Sequence, residues 1–143
     1  SKGFALLIEH GIETAKMFAK EIKKRPLFQL ISSPELNILT YRICPMHIQA
    51  AFGTVSQEER NQINETLNYI NQNIQRCQRE AGHSFVSRTT LHLRRLFNRD
   101  IVVFRCVIMN PMTDQKILND ILDEQEEIFN YHFKDILLAG TRA

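Results

Sequence analysis

Hydrophobic positions in this 143-residue chain fall into three helical stretches and two pairs of strand-like runs. Over 4–24 they recur at helical spacing, as Leu7, Ile8, Gly11, Ile12, Ala15, Phe18, Ala19 and Ile22, which gives a helix one apolar face. Pro26 stops that helix. Lys23, Lys24 and Arg25 complement its dipole and read as a solvated C-terminal end. Gly11 inside it costs about 1 kcal/mol relative to alanine, which points to a close packing contact or a gentle break. Residues 27–31 predict a short strand, Ser32-Ser33-Pro34-Glu35 a turn, and 36–44 a second strand ended by Pro45. The two strands pair as an antiparallel hairpin. Arg42 reads as a sheet-edge or solvent-facing residue. Residues 46–55 have no period, contain Gly53 and read as a loop of the kind that covers a site.

Ser56-Gln57-Glu58-Glu59 is a capping box, with Ser56 as N-cap and Glu59 reaching back. From there Ile63, Leu67, Ile70, Ile74 and Cys77 make one narrow apolar stripe on a helix that ends near Ala81, with Gly82 at the C′ position. The opposite face of that helix is rich in Asn, Gln and Arg and reads as solvated or, less favoured, as docking on another chain. Residues 83–93 predict a third strand and 94–100 a basic turn. In the next run, Ile101-Val102-Val103-Phe104-Arg105-Cys106-Val107-Ile108, the β-branched content and the closing Asn110-Pro111 predict a strand buried on both faces. Alternation sets Ile101, Val103, Arg105 and Val107 against Val102, Phe104, Cys106 and Ile108. Arg105 therefore points from an apolar face, where a guanidinium needs an anion or a polar cleft. Thr113 can cap a last helix with Asp114 in its first turn. Its apolar face runs from Ile117 and Leu118 to Ile136 and Leu137, its end lies near Gly140, and Asp123, Glu124, Glu126 and Glu127 form its wet side. The order helix, two strands, helix, two strands, helix is an α+β two-layer sandwich. It has a mainly antiparallel four-stranded sheet and three long helices.

Composition changes this picture little. A formal net charge of +2 argues against general nucleic-acid binding, and the lack of exposed strand aromatics opposes an RNA-binding sheet. Arg88, Arg94, Arg95 and Arg99 cluster, but with no Gly-rich loop they read as a solvated hairpin tip rather than a phosphate site. Cys44, Cys77 and Cys106 are far apart and suit buried thiols in a reducing, cytoplasmic setting. The five histidines, His10, His47, His83, His92 and His132, show no metal-ligand spacing. No apolar segment is long enough to span a bilayer. Ser1-Lys2-Gly3 leads straight into a helix without an initiating methionine, which hints at a segment of a longer protein, a start that processing could equally give. On residues alone, the default is a small α+β binding module whose one candidate site residue is Arg105.

Several stretches taken together resemble a known family. Ala5-Leu6-Leu7-Ile8-Glu9-His10-Gly11 and Ala15-Lys16-Met17-Phe18-Ala19 look like the helix that opens the small domain of group II pyridoxal-phosphate-dependent amino-acid decarboxylases. These include the glutamate, 2,4-diaminobutyrate and aromatic-amino-acid decarboxylases. Ser33-Pro34-Glu35-Leu36-Asn37-Ile38-Leu39-Thr40-Tyr41-Arg42-Ile43-Cys44-Pro45 is similar to the family's strand pair before a variable loop. Ile70-Asn71-Gln72-Asn73-Ile74, Gly82-His83-Ser84-Phe85-Val86-Ser87-Arg88-Thr89 and Phe104-Arg105-Cys106-Val107-Ile108-Met109-Asn110-Pro111-Met112-Thr113 follow in the family's order.

The resemblance implies that 1–143 is a single C-terminal small domain of such a carboxy-lyase, with the fold of the small domain of fold-type-I cofactor enzymes. It implies a cytoplasmic homodimer whose large domain lies outside this chain and holds pyridoxal 5'-phosphate. In the glutamate-type members of that family the arginine matched by Arg105 receives a substrate carboxylate, a role that a planar bidentate donor suits. The Schiff-base lysine follows a histidine there. This chain has no His-Lys dipeptide, so the resemblance implies no catalytic or cofactor-binding residue here and no activity for the segment alone. The alternative is a stand-alone α+β ligand-binding or regulatory domain in which Arg105 pairs internally with a glutamate.

Overall fold

The structure is a computed structural model and describes residues 2–82, 86–92, 100–108 and 113–136. Helix α1 (Lys2–Lys24) is followed by strands β1 (Phe28–Glu35) and β2 (Ile38–Ile43), a short helix α2 (Met46–Ala51) and helix α3 (Gln57–Glu80). Strands β3 (Val86–His92) and β4 (Asp100–Val107) and helix α4 (Gln115–Ile128) complete the order. From Phe129 to Phe133 helix α4 continues as a π-helical turn, which the apolar spacing did not announce. The four strands form one antiparallel sheet, as the α+β reading expected, and their order is β1-β2-β4-β3. None of the described helices is long and apolar enough to cross a membrane.

One core lies between the sheet and the long helices. Ala15, Phe18, Ala19 and Ile22 of α1 meet Leu39, Tyr41 and Ile43 of β2 and Phe104 and Cys106 of β4, with Leu67, Ile70 and Ile74 of α3 and Leu118, Ile121 and Leu122 of α4. Tyr41 is its hub. Its ring stands edge-on to Phe18 and Phe28 and tilted against Phe104, with centroids 5.2–5.8 Å away. Its hydroxyl donates to Gln125 Oε1 at 2.8 Å, and Gln125 donates to Gln78 Oε1 at 3.0 Å. One buried side chain thus ties β2 to α1, β1, β4, α4 and α3. Gly11 proves to be a packing contact. A Cβ there would stand 2.8 Å from the Ile108 carbonyl oxygen, where Asn37 and Ile108 exchange hydrogen bonds.

Several expectations are corrected. Strand β1 runs through Ser33 and Pro34 to Glu35, and the turn is Leu36-Asn37 instead. A proline fits because β1 is an edge strand with register shifts on both sides of Ser32. Leu36 takes φ 55°, a left-handed conformation suited to a tight two-residue connection. Residues 46–51 are helical rather than a loop, because Pro45 starts a turn that buries Ile48. The cap of α4 is Asp114, which accepts from the Ile117 amide at 2.9 Å, while Thr113 is buried. Arg25 is not a solvated end. It reaches Glu21, Asp123 and Glu126 at 2.8–3.4 Å, so part of the acidic side of α4 holds α1. The Ser56 cap and Gly82, at φ 85°, stand as expected. The basic tip 93–99, with Arg94, Arg95 and Arg99, lies outside the described residues, as do His83, Asn110, Pro111, Leu137 and Gly140.

Candidate functional site

Helix α3 shows how the sheet ends are closed. Asn64, Asn68, Asn71, Gln75 and Gln78 repeat at spacings of four and three, one position along from the apolar stripe. All but the half-buried Asn68 are buried, so this flank of the stripe is enclosed, whereas Glu65, Gln72, Arg76 and Arg79 on the opposite face are exposed, as expected. The pairing of β2 with β4 stops at Tyr41↔Phe104. Beyond it the strand groups need other partners. Asn71 accepts from the Ile43 amide at 2.7 Å and donates to the Ile43 carbonyl at 3.0 Å. Asn68 does the same on β4, accepting from Val102 N at 2.8 Å and donating to Asp100 O at 3.0 Å. Carboxamides can serve both sides of a strand because each carries a donor and an acceptor. Their 4,3,4,3 spacing was the available signal.

Arg42 lies at this closed end and is fully buried, against the edge or solvent-facing expectation. Its Nε donates to Gln29 Oε1 at 2.8 Å and its Nη1 to Asn64 Oδ1 at 3.1 Å. The guanidinium carbon stands 6.0 Å from the centre of the Phe52 ring, which the unexpected helix α2 delivers. Burial pushes the Arg42 guanidinium down from its ordinary range, and neighbouring Cys44 partly opposes this. Burial also raises the Cys44 thiol to about 11 and the Cys106 thiol to about 12. Neither thiol is a nucleophile near neutral pH.

Arg105 lies in a different setting. On β4 the residues Phe104 and Cys106 face the helices, while Ile101 and Val103 form a second cluster with Ile31 and Leu91, all strand residues. Arg105 is exposed, which corrects the idea of a charge enclosed by apolar neighbours. Its burial does not demand an anion; its guanidinium is available to one. Among the described residues no hydrogen bond or ion pair engages that side chain, and no glutamate pairs with it.

The register sets Ser32 opposite Thr40, Thr40 opposite Arg105, and Arg105 opposite Ser87. Directly opposed residues share a face, so three hydroxyls and one guanidinium form a row across all four strands. The row carries hydrogen-bond donors and no carboxylate, which suits an oxyanion. The residues around Arg105 were missed in the sequence because pairing register is not a local property. Two surface grooves, one of about 480 Å³ beside Asp123, Glu126 and Tyr131 and one of about 350 Å³ beside Lys23, Arg25 and Gln29, do not include Arg105.

A covalently bound cofactor fits these residues poorly. Lys16, Lys20, Lys23, Lys24, Lys116 and Lys134 are all exposed on helices, the opposite of the desolvated setting that activates an amine.

The chain is 43% identical over 126 residues to an aspartate 1-decarboxylase of Aliivibrio fischeri, a match covering 88% of this chain. The chain spans 23% of that relative's length. No protein-family model matches it. Mouse CSAD in its apo form superposes with a TM-score of 0.72 at 19% identity, over 89% of this chain and 24% of that one. The second structure is the glutamate decarboxylase domain of diaminobutyrate-pyruvate transaminase and L-2,4-diaminobutyrate decarboxylase from Vibrio parahaemolyticus. It gives 0.61 at 14% identity, over 85% of this chain and 21% of that one. Catharanthus roseus tryptophan decarboxylase in complex with L-tryptophan gives 0.59 at 12%, over 86% and 22%. The fold is that of decarboxylase C-terminal domains. The sequence relative is named for aspartate, a substrate outside the types in the resemblance.

Proposed function

We propose that this chain is the C-terminal small domain of a pyridoxal-phosphate-dependent amino-acid decarboxylase, and that Arg105 receives a substrate carboxylate. The observation that carries the reading is Arg105 itself. It is an exposed guanidinium on a strand face, free of side-chain partners among the described residues, in a fold shared with decarboxylases. The sequence relative and the solved decarboxylases are covered in nearly the same proportion, 21–24% of their lengths. That supports a large domain elsewhere in the same polypeptide, which would carry the cofactor and its lysine. In this reading the whole protein is a cytoplasmic homodimer, and the segment described here closes over a site built mostly outside it. The relative's name makes L-aspartate the first substrate to assay, ahead of L-glutamate and L-2,4-diaminobutyrate.

The test uses the full-length protein. Arg105→Lys keeps the charge but loses the planar fork. It should lower turnover on the order of 10- to 100-fold while leaving the absorbance of bound cofactor in place. Unchanged turnover would remove Arg105 from the site. The gene itself offers a second check, since the frame before Ser1 should encode a large α/β segment containing a His-Lys dipeptide, and a stop codon there would sink the reading.

A further inference from the structure

The hydroxyls beside Arg105 are arranged in a way that bare carboxylate capture by an arginine does not require. Ser32 Oγ lies 2.6 Å from Thr40 Oγ1, and the Thr40 amide donates to the same Ser32 oxygen at 3.2 Å. Two protons are shared by this hydroxyl pair, and only one can lie between the oxygens. Thr40 is 8% exposed whereas Ser32 is exposed. A proton left on Thr40 would point into a nearly closed space. With Thr40 donating instead, Ser32 Oγ accepts twice, from the Thr40 amide and the Thr40 hydroxyl. Both of its lone pairs are then engaged. What Ser32 presents outward is its proton alone.

We propose that Ser32 is a second ligand-binding residue of the Arg105 site, and that Thr40 is the positioning residue that turns the Ser32 hydroxyl into a pure donor. The ligand class is a carboxylic acid, held by the Arg105 guanidinium on one side of Thr40 and by the Ser32 hydroxyl on the other. Thr40 lies between the two in the register, so they belong to one row rather than two sites. The Arg105 and Ser32 pair disfavours a cationic group between them, because neither of the two offers an acceptor to it. This rests on the reading of Arg105 as a carboxylate ligand and extends it to residues of β1 and β2.

The full-length protein is assayed on whichever of L-aspartate, L-glutamate and L-2,4-diaminobutyrate it turns over. Ser32→Ala and Thr40→Val should each raise KM about fivefold, the equivalent of one neutral hydrogen bond, with kcat within about twofold. The double variant should be no worse than either single one, because the two hydroxyls act as one chain. Thr40→Ser restores the hydroxyl and should return KM to the parent value. An unchanged KM in Ser32→Ala, alongside an Arg105→Lys variant that has lost turnover, overturns this inference and leaves the Arg105 reading standing. Full turnover in Arg105→Lys, or no turnover of any of the three acids by the parent, overturns both. If Thr40→Val does not fold, Ser32→Ala decides alone, since Ser32 is a surface residue.

Discussion

Arg42 and Arg105 stand on neighbouring central strands, and Arg42 is two residues from Thr40, the partner of Arg105. Their surroundings are nonetheless opposite. Arg42 is fully buried beneath α2 and α3, with its Nε and Nη1 donating to two carboxamide oxygens and its guanidinium carbon 6.0 Å from the centre of the Phe52 ring. Arg105 is exposed, flanked across the strands by Thr40 and Ser87. The cation in the more apolar run is the hydrated one, and the cation in the more polar run is the dry one. Enclosure of a strand residue depends on which helices cross its end of the sheet, not on the hydropathy of its own strand. Arg42 accordingly behaves as a structural element and Arg105 as an available functional group.

The contrast is broken most directly by truncating each arginine. Arg42→Ala should cost about 3–5 kcal/mol, because it leaves Gln29 and Asn64 without their partner and opens a cavity. Arg105→Ala should change stability by less than about 0.5 kcal/mol. Urea denaturation of the two variants separates these outcomes, and equal losses would end the distinction. The closed end of the sheet is tested next by Asn71→Ala. It removes the hydrogen bonds to both backbone groups of Ile43 and to the Leu67 carbonyl and should cost about 2–3 kcal/mol in the same assay.

The smallest expected effect is alkaline. Cys44, beside Arg42, and Cys106 titrate near 11 and 12 when folded, above the ordinary thiol value of 9.0, because burial disfavours the thiolate. The unfolded chain loses these protons first. Stability from this source is therefore complete below about pH 9 and is lost as pH rises towards the folded values. Between pH 8 and 10 the loss should be about 1 kcal/mol per thiol. Cys44→Ala should flatten the slope by one thiol's share. A slope that does not change would mean that the surroundings of Cys44, and by extension of Arg42, are wetter than the structure has them.

Much of the fold was readable because its causes are local. The stripe Ala15, Phe18, Ala19 and Ile22, the Ser56 cap and the C′ glycine Gly82 each act within a few residues. Gly11 was recognised as unusual, but its reason, the Ile108 carbonyl, lies 97 positions away. The carboxamides of α3 show the limit most clearly. Their spacing repeats as regularly as that of the apolar stripe, but polar side chains at helical spacing read as solvated unless unpaired strand ends are known to lie beneath them. The candidate site was legible in one residue. Arg105 stood out as a charge in an apolar run, and it is the central guanidinium of the row, though the enclosure first inferred for it belongs to Arg42. Ser32 and Thr40 carried no comparable mark, since serine and threonine are common in turns and strands alike.

Periodicity and terminator residues were enough to determine the three long helices, the four strands and the α+β class, because those follow from which side chains must leave water. Which strands are neighbours, which arginine is dry, and which hydroxyls flank Arg105 were decided by the tertiary structure. These depend on the meeting of β2 with β4 and on the crossing of α3 over their ends, and neither is encoded in a window of adjacent residues. A one-residue slip in the register of β2 would remove Thr40 from the Arg105 row and leave every local pattern in the chain unchanged.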